Sequence, residues 1–259
     1  VKIATFNING IRARLPRLLD WLGESRPDVA LLQEIKCVDE AFPGAVIEDL
    51  GYNVATHGQK GFNGVAILAK PPLIDINPGL PGDDNDTQAR WLEAVIDAPT
   101  PIHVCCLYLP NGNPVDSEKF PYKLAWMDRM ITRLEDLLRL EIPAVVAGDF
   151  NVIPQADDAQ LPDSWRDDAL FHADARNRWR RMLNMGYTDA FRVITREPGH
   201  YTFWDYQGGQ WQRDEGIRID HLLLTPQSAD LLVDCQIDRH IRALEKPSDH
   251  APIWVELNR

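Results

Sequence analysis

The first stretch, VKIATFNINGIRARLPRLLDWLGESRPDVALLQE at 1–34, decides the fold class. Lys2–Ile8 is a short run that predicts a strand. Arg12–Glu24 places Leu15, Leu18, Leu19 and Leu22 at three- and four-residue steps, the apolar stripe of a helix. Asp28–Gln33 is apolar between its ends, as a strand buried on both faces would be. Strand, helix, strand in so short a span predicts a sheet with a helix laid over it.

The pattern continues outward from there. Phe42–Leu50 reads as a short helix, and Tyr52–His57 and Gly64–Ala69 as paired strands. Ala89–Asp97 and Ile102–Tyr108 follow as strands. The clearest helix spans about 118–140, with Phe120, Leu124, Met127, Ile131, Leu134 and Leu138 on one face. Ala144–Gly148 is a buried strand, Ala175–Leu183 a helix, and Ile219–Leu224, Cys235–Ile241 and Pro252–Leu257 are closing strands. Hairpin-like pairs mixed with crossovers imply mixed sheets. The loops at 78–88 and 154–166 show no composition shift across them, so one domain over 1–259 is expected.

Hydrophobic residues make up 44% of the 259, and charged residues 25%, which excludes wholesale disorder. No apolar run approaches the roughly 18–20 residues of a membrane span. The N-terminal stretch lacks the basic region, apolar stretch and cleavage site of a signal peptide. Cys37, Cys105, Cys106 and Cys235 form no CxxC pair, and the adjacent Cys105 and Cys106 must point to opposite faces of a strand. Reduced thiols in a cytoplasmic protein are the expectation. No long exposed apolar stripe is visible, so a monomer is expected. The net charge of −12 argues mildly against nucleic acid, although a local cationic patch can sit within a global excess of anions.

Polar residues stand where buried-looking strands end. These are Asn7, Glu34, Tyr108, Asp149 and Asn151, with Asp220 on the face of Leu222 and Leu224, and Asp249-His250 before the last strand. Singly, each has an ordinary reading: a turn-forming Asn, Glu34 paired with Lys36, a capping Asp149, a wet Tyr108 hydroxyl, a scaffold His250. Together they are hard to explain so, because an unpaired buried carboxylate costs several kcal/mol. Gathering them around one cation removes the difficulty. Oxygen donors from Glu, Asp and Asn suit Mg²⁺ or Mn²⁺, and the Cys/His spacings of a zinc site are absent.

The segments FNINGIRA (6–13), LLQEIKC (31–37), HGQKGFNGVAIL (57–68), YLPNG (108–112), GDFNVIP (148–154), RIDHLL (218–223) and EKPSDHAP (245–252) resemble, in order and across the chain, the motifs of the exonuclease III family of apurinic/apyrimidinic (AP) endonucleases. The resemblance implies a four-layered α/β sandwich, two mixed β-sheets packed face to face and flanked by helices. It implies a Mg²⁺- (or Mn²⁺-) dependent phosphodiesterase acting on double-stranded DNA at abasic sites and 3′ ends. Glu34 would be the principal metal ligand with Asn7 beside it and Asp249 contributing, and Asp149, Asn151 and His250 would share that site. Asp149 would orient or deprotonate the attacking water, and Asn151 would help hold it and the phosphate. His250 would contact the scissile phosphate with its tautomer fixed by Asp220, and Tyr108 would hydrogen-bond the phosphate or stabilise the leaving group.

By the same resemblance, Phe203 in YTFWDY (201–206) would line an abasic-nucleotide pocket with Ile217 and Ile219. Lys36, Lys60, Arg90 and Asn111 would contact phosphates, and Phe62 would press on the minor groove. Arg176, Arg178, Arg180 and Arg181 form the dense basic run, open to two readings: DNA contact, or a solvated helix face paired with acids. Two other functions would use parts of this pattern. A same-fold phosphoesterase for an inositol phosphate or phospholipid suits the negative charge but not Tyr108, Phe203 or the HGQKGFNG loop. A non-enzymatic module has no reason to keep so many costly polar groups.

Overall fold

The structure is a computed structural model that describes residues 1–258. Its strands are β1 (Lys2–Asn7), β2 (Val29–Gln33), β3 (Asn53–His57), β4 (Val65–Ala69), β5 (Leu73–Pro78), β6 (Trp91–Ile96), β7 (Ile102–Tyr108), β8 (Ala144–Asp149), β9 (Thr188–Asp189), β10 (Asp220–Leu224), β11 (Leu232–Ile237) and β12 (Ile253–Leu257). The helices are α1 (Ile11–Ser25), α2 (Gly44–Glu48), α3 (Lys119–Arg139), α4 (Ala173–Asn184), α5 (Ala190–Ile194), α6 (Gln210–Arg213) and α7 (Pro226–Ala229). Two six-stranded sheets result, ordered β11-β12-β1-β2-β4-β3 and β5-β6-β7-β8-β10-β9. Both are mixed: β1 runs parallel to β2 and β7 parallel to β8, and the other pairs are antiparallel.

Side-chain alternation explains the layering. Ile3, Val29, Leu31, Val65 and Ile67 of the first sheet meet Leu92, Val104, Cys106, Val145, Ala147, Leu222 and Leu224 of the second in a buried central core. The opposite face of the first sheet, with Phe6, Ala30 and Leu32, packs on Leu18, Trp21 and Leu22 of α1. The outer face of the second, with Trp91, Cys105 and Val146, packs on α3 and α4. Helix, sheet, sheet, helix are thus four layers, as the resemblance implied. All four cysteines are free and buried, and Cys105 and Cys106 do face opposite ways. Among the described residues no helix is long and apolar enough to cross a membrane.

Three differences from the sequence reading have clear causes. Strand β5 has no counterpart in the sequence pattern because it is an exposed edge without apolar alternation. The strand expected at Cys235–Ile241 instead runs Leu232–Ile237, and Arg239–Ala243 turns into a short 3₁₀ helix with Ile241 and Arg242 buried. The helix expected over Phe42–Leu50 is only Gly44–Glu48, since Pro43 stands at its N-cap.

A candidate metal centre at the seam of two sheets

Chain direction brings the polar strand ends together. β1, β2, β7 and β8 finish at one edge of the sandwich, whereas β10 and β12 begin there. The register pairs Tyr108 with Asp149 and Asp149 with Asp220. Gly148 permits this closeness: a Cβ there would lie 1.9 Å from the Leu107 carbonyl oxygen. Glu34, one residue past β2, adopts a left-handed backbone at φ 51°, unusual for a residue of its type. Its carbonyl accepts from Gly10 N–H at 2.7 Å, and the next amides, of Ile35 and Lys36, donate to Gly64 and Asn63.

Asn7 joins the sheets. Its buried Nδ2 donates to Glu34 Oε1 and to Asp149 Oδ2, each at 2.9 Å, while its Oδ1 accepts from Asn9 N–H. Lys36 Nζ reaches Glu34 Oε2 at 2.9 Å and Asn9 Oδ1, so the pairing of Glu34 with Lys36 exists inside the cluster rather than instead of it. Asn9 Nδ2 donates to Asp249 Oδ1 at 2.9 Å. Asn151, also left-handed at φ 46°, gives its N–H to Asp149 Oδ1 at 2.9 Å and its Nδ2 to Leu109 O. Asn111 Nδ2 donates to Asn151 Oδ1 at 3.2 Å.

His250 Nδ1 lies 2.8 Å from Asp220 Oδ2, and its Nε2 lies 3.8 Å from Asp149 Oδ2. A carboxylate can only accept, so Nδ1 carries the proton in that pair. Burial disfavours the imidazolium, but the charges of Asp220 and Asp149 override it and raise His250 above its ordinary value. Burial pushes Asp149 up, aided by Asp220 and Glu34 and opposed by His250 and the Asn151 N–H. Burial also works to raise Glu34, but hydrogen bonds from Lys36 and Asn7 outweigh it and hold the carboxyl low. Tyr108 is driven well above the ordinary phenol value by burial and by Glu34 and Asp149, so its hydroxyl keeps its proton. Arg90 lies 4.8 Å over the Tyr108 ring and donates to its carbonyl.

These residues open on a cavity of about 330 Å³ lined by Glu34, Tyr108, Asn111, Asp149, Asn151, Asp249 and His250, with Phe203, Ile219, Leu170 and Trp165 as its apolar wall. Phe203 packs edge-on to His250 with ring centroids 5.0 Å apart. Ile217 corrects the sequence reading: it is buried behind the wall, bridged to Phe203 and Ala159, and does not line the cavity. Lys60 and Phe62 stand on the exposed 57–64 loop, and Phe62 is 71% exposed. That loop is fastened toward Arg90 by Gly64 N–H on Ala89 O and Ala89 N–H on Gln59 Oε1. Two of the four arginines in the run reach acids, Arg178 forking onto Asp128 and Arg181 bonding Glu135, both across to α3, whereas Arg176 stacks over Phe171 and Arg180 bonds Asn177 on its own helix.

Several site residues escaped the sequence reading. Ser248 Oγ donates to Asn7 O at 2.7 Å and accepts from His250 N–H, tying the last loop to β1. Thr202 Oγ1 accepts from the amides of Ile219 and Asp220. Lys123 is fully buried under the site. Of these only Lys123 carries a signal, a charged residue three positions after Phe120 on the apolar side of α3.

The donor chemistry fits a hard divalent cation. Glu34, Asp149 and Asp249 bring carboxylate oxygens to one cavity, and burial strains the ionised form of Asp149 in the protein alone. One buried group of possible ligands, Asp149–Asp220–His250, has its histidine already engaged by Asp220, so the face toward Glu34 is the better place for the ion.

Stacked mixed sheets with carboxylates, amides and an Asp-paired imidazole at one edge define a metal-dependent phosphodiesterase. The chain belongs to the Endonuclease/Exonuclease/phosphatase family, which it matches over residues 4–250, and within it to the exonuclease III group of AP endonucleases. It is 37% identical to exodeoxyribonuclease III of Haemophilus influenzae over 99% of both chains. It is 29% identical to the DNA repair nuclease APEX1 of Danio rerio, over 99% of this chain and 82% of that protein. Among solved structures, an AP endonuclease from Archaeoglobus fulgidus superposes with a TM-score of 0.95 at 39% identity, covering both chains fully. The 3′-5′ exonuclease NExo from Neisseria meningitidis gives 0.95 at 35%, again covering both chains.

Proposed function

We propose that the chain is a Mg²⁺- or Mn²⁺-dependent DNA-repair nuclease that incises duplex DNA 5′ to abasic sites and trims 3′ ends as an exonuclease and a phosphodiesterase or phosphatase. The observation that carries this is the single cavity in which Glu34 and Asp149, bridged by Asn7, face the Asp220-oriented His250 beside an apolar wall. The relatives' names agree, and one Neisseria structure is described as the 3′ phosphatase NExo bound to product DNA hairpin.

Glu34, with Asn7 beside it and Asp249, Asp149 and Asn151 around it, would hold the ion, while His250, already protonated on Asp220, faces the phosphate instead. When bound, the ion supplies positive charge to the anionic phosphate and the leaving oxygen. Asp149, held by the amide groups of Asn7 and Asn151, orients the attacking water and accepts its proton. Protonated His250 donates toward the phosphate, and Tyr108 offers its hydroxyl to the same group. Phe203 and Ile219 admit a sugar without a base, because such a nucleotide loses no stacking when it leaves the helix. Lys36, Lys60, Arg90 and Asn111 engage phosphates, and Phe62 presses on the minor groove. The fold works as one domain and one monomer, in the cytoplasm.

The test is a duplex with one tetrahydrofuran abasic analogue, incubated with Mg²⁺ or EDTA and resolved by denaturing electrophoresis. A nick 5′ to the analogue with Mg²⁺ alone is expected. Absence of that nick would overturn the proposal, and hydrolysis of inositol phosphates without it would replace the substrate.

A further inference from the structure

We propose that Lys123 is a positioning residue that sets the spacing of the loops bearing Asn111 and Asn151, so that removing its two hydrogen bonds slows turnover while leaving DNA binding intact. The inference rests on the nuclease reading of the same site. Lys123 lies in α3 with none of its surface exposed. Its Nζ donates to the carbonyls of Asn111 at 3.0 Å and Asn151 at 2.6 Å. Its recorded partners are those two carbonyls, with no carboxylate at salt-bridge distance among the described residues.

An unpaired buried lysine is a costly way to fill space, because an apolar side chain of equal length would pack without desolvation. What it provides is geometry. The Asn151 carbonyl points inward because its residue is left-handed, and the same residue's N–H holds Asp149 Oδ1. Asn111 is tied to Asn151 a second time through its side chain. The lysine stem fills the space beneath Gly112, where a Cβ would come within 2.6 Å of Lys123 Cδ. Lysine, Asn151 and Asp149 therefore form one connected chain, and the ammonium and the neutral amine alike have N–H groups enough for both carbonyls. Misplacing a reacting group by a fraction of an ångström costs rate rather than affinity.

The experiment compares the parent, Lys123→Met and Lys123→Gln on the abasic duplex with Mg²⁺, with binding of the same duplex in EDTA and thermal melting in parallel. For Lys123→Met, kcat is expected to fall by about tenfold or more while KM and EDTA binding stay within about twofold. Lys123→Gln, which keeps N–H donors on a shorter stem, should show the same split to a smaller degree. A Lys123→Met protein with parental kcat overturns the inference, as does equal loss of kcat and binding, which would mark Lys123 as structural support only. If Lys123→Met does not fold, Lys123→Gln decides by the same criteria. If the parent itself does not nick, the nuclease reading fails and takes the inference with it; a parent that nicks beside a variant at parental rate refutes only the role of Lys123.

Discussion

Asp220 shows how one side chain governs another. It touches the cavity only through His250, and its Oδ1 has no hydrogen-bond partner among the described residues. Replacing it by Asn keeps the shape but permits an N–H to face Nδ1, which favours the wrong tautomer. Asp220→Asn is expected to lower kcat by about 10²–10⁴-fold with KM little changed. Steady-state kinetics on the abasic duplex check this, and a variant near the parental rate would remove Asp220 from the mechanism. At this scale the site was legible in the sequence wherever a polar residue interrupted an apolar strand, as at Asp149 and Asp220. Ser248 and Thr202 were not legible, because a hydroxyl that serves backbone amides looks like any loop residue.

Among elements, the β7–β8 pair is the most constrained. Adding a methyl at Gly148 would drive it into the Leu107 backbone, which cannot rotate away as a side chain could. Parting the strands there would separate Tyr108 from Asp149. Gly148→Ala is expected to lose about 1–3 kcal/mol or more of stability in urea titration, together with most of its nicking activity. Unchanged values for both would show that the strand pair tolerates what its geometry forbids. The strongly periodic elements, α1, α3 and the central strands, were legible because each has a face that must be buried. β5, α5 and the two-residue β9 were not, being too short or too exposed to carry a period. For α4 the sequence left two readings of its arginines open; only the placement of α3 beside it supplied Asp128 and Glu135.

Over the whole molecule, buried charge makes stability depend on pH. Arg218 is completely buried and is held by Asp158 and by both oxygens of Asp189, with Arg192 also on Asp158. It donates to His221 Nδ1, and His221 Nε2 donates to Val152 O, so the imidazole is neutral. Burial and then the Arg218 charge lower His221 to about 3, against an ordinary 6.5. Below pH 6.5 the unfolded chain therefore takes up a proton that the native protein refuses, and stability falls as pH drops toward 3. Asp149 contributes with the opposite sign in the metal-free protein, since a raised carboxyl favours the native state as pH falls. That contribution is common to the parent and to His221→Gln, so it cancels in their difference. Urea unfolding between pH 7 and pH 4 should show the parent losing stability more steeply than His221→Gln; parallel curves would mean that His221 charges freely in the fold. Such long-range networks lie beyond sequence reading, because Asp158 and Arg218 are sixty residues apart and nothing local announces their meeting.

The Ser248–Asn7 hydrogen bond joins residues 241 positions apart, and β12 slots between the edge strand β11 and β1. A growing polypeptide emerging from the ribosome thus carries Asn7 and Glu34 long before the imidazole of His250 and the strand that seats it. A chain that has not yet made His250 has no complete site, and the enzyme acquires its chemistry only when β12 locks onto β1.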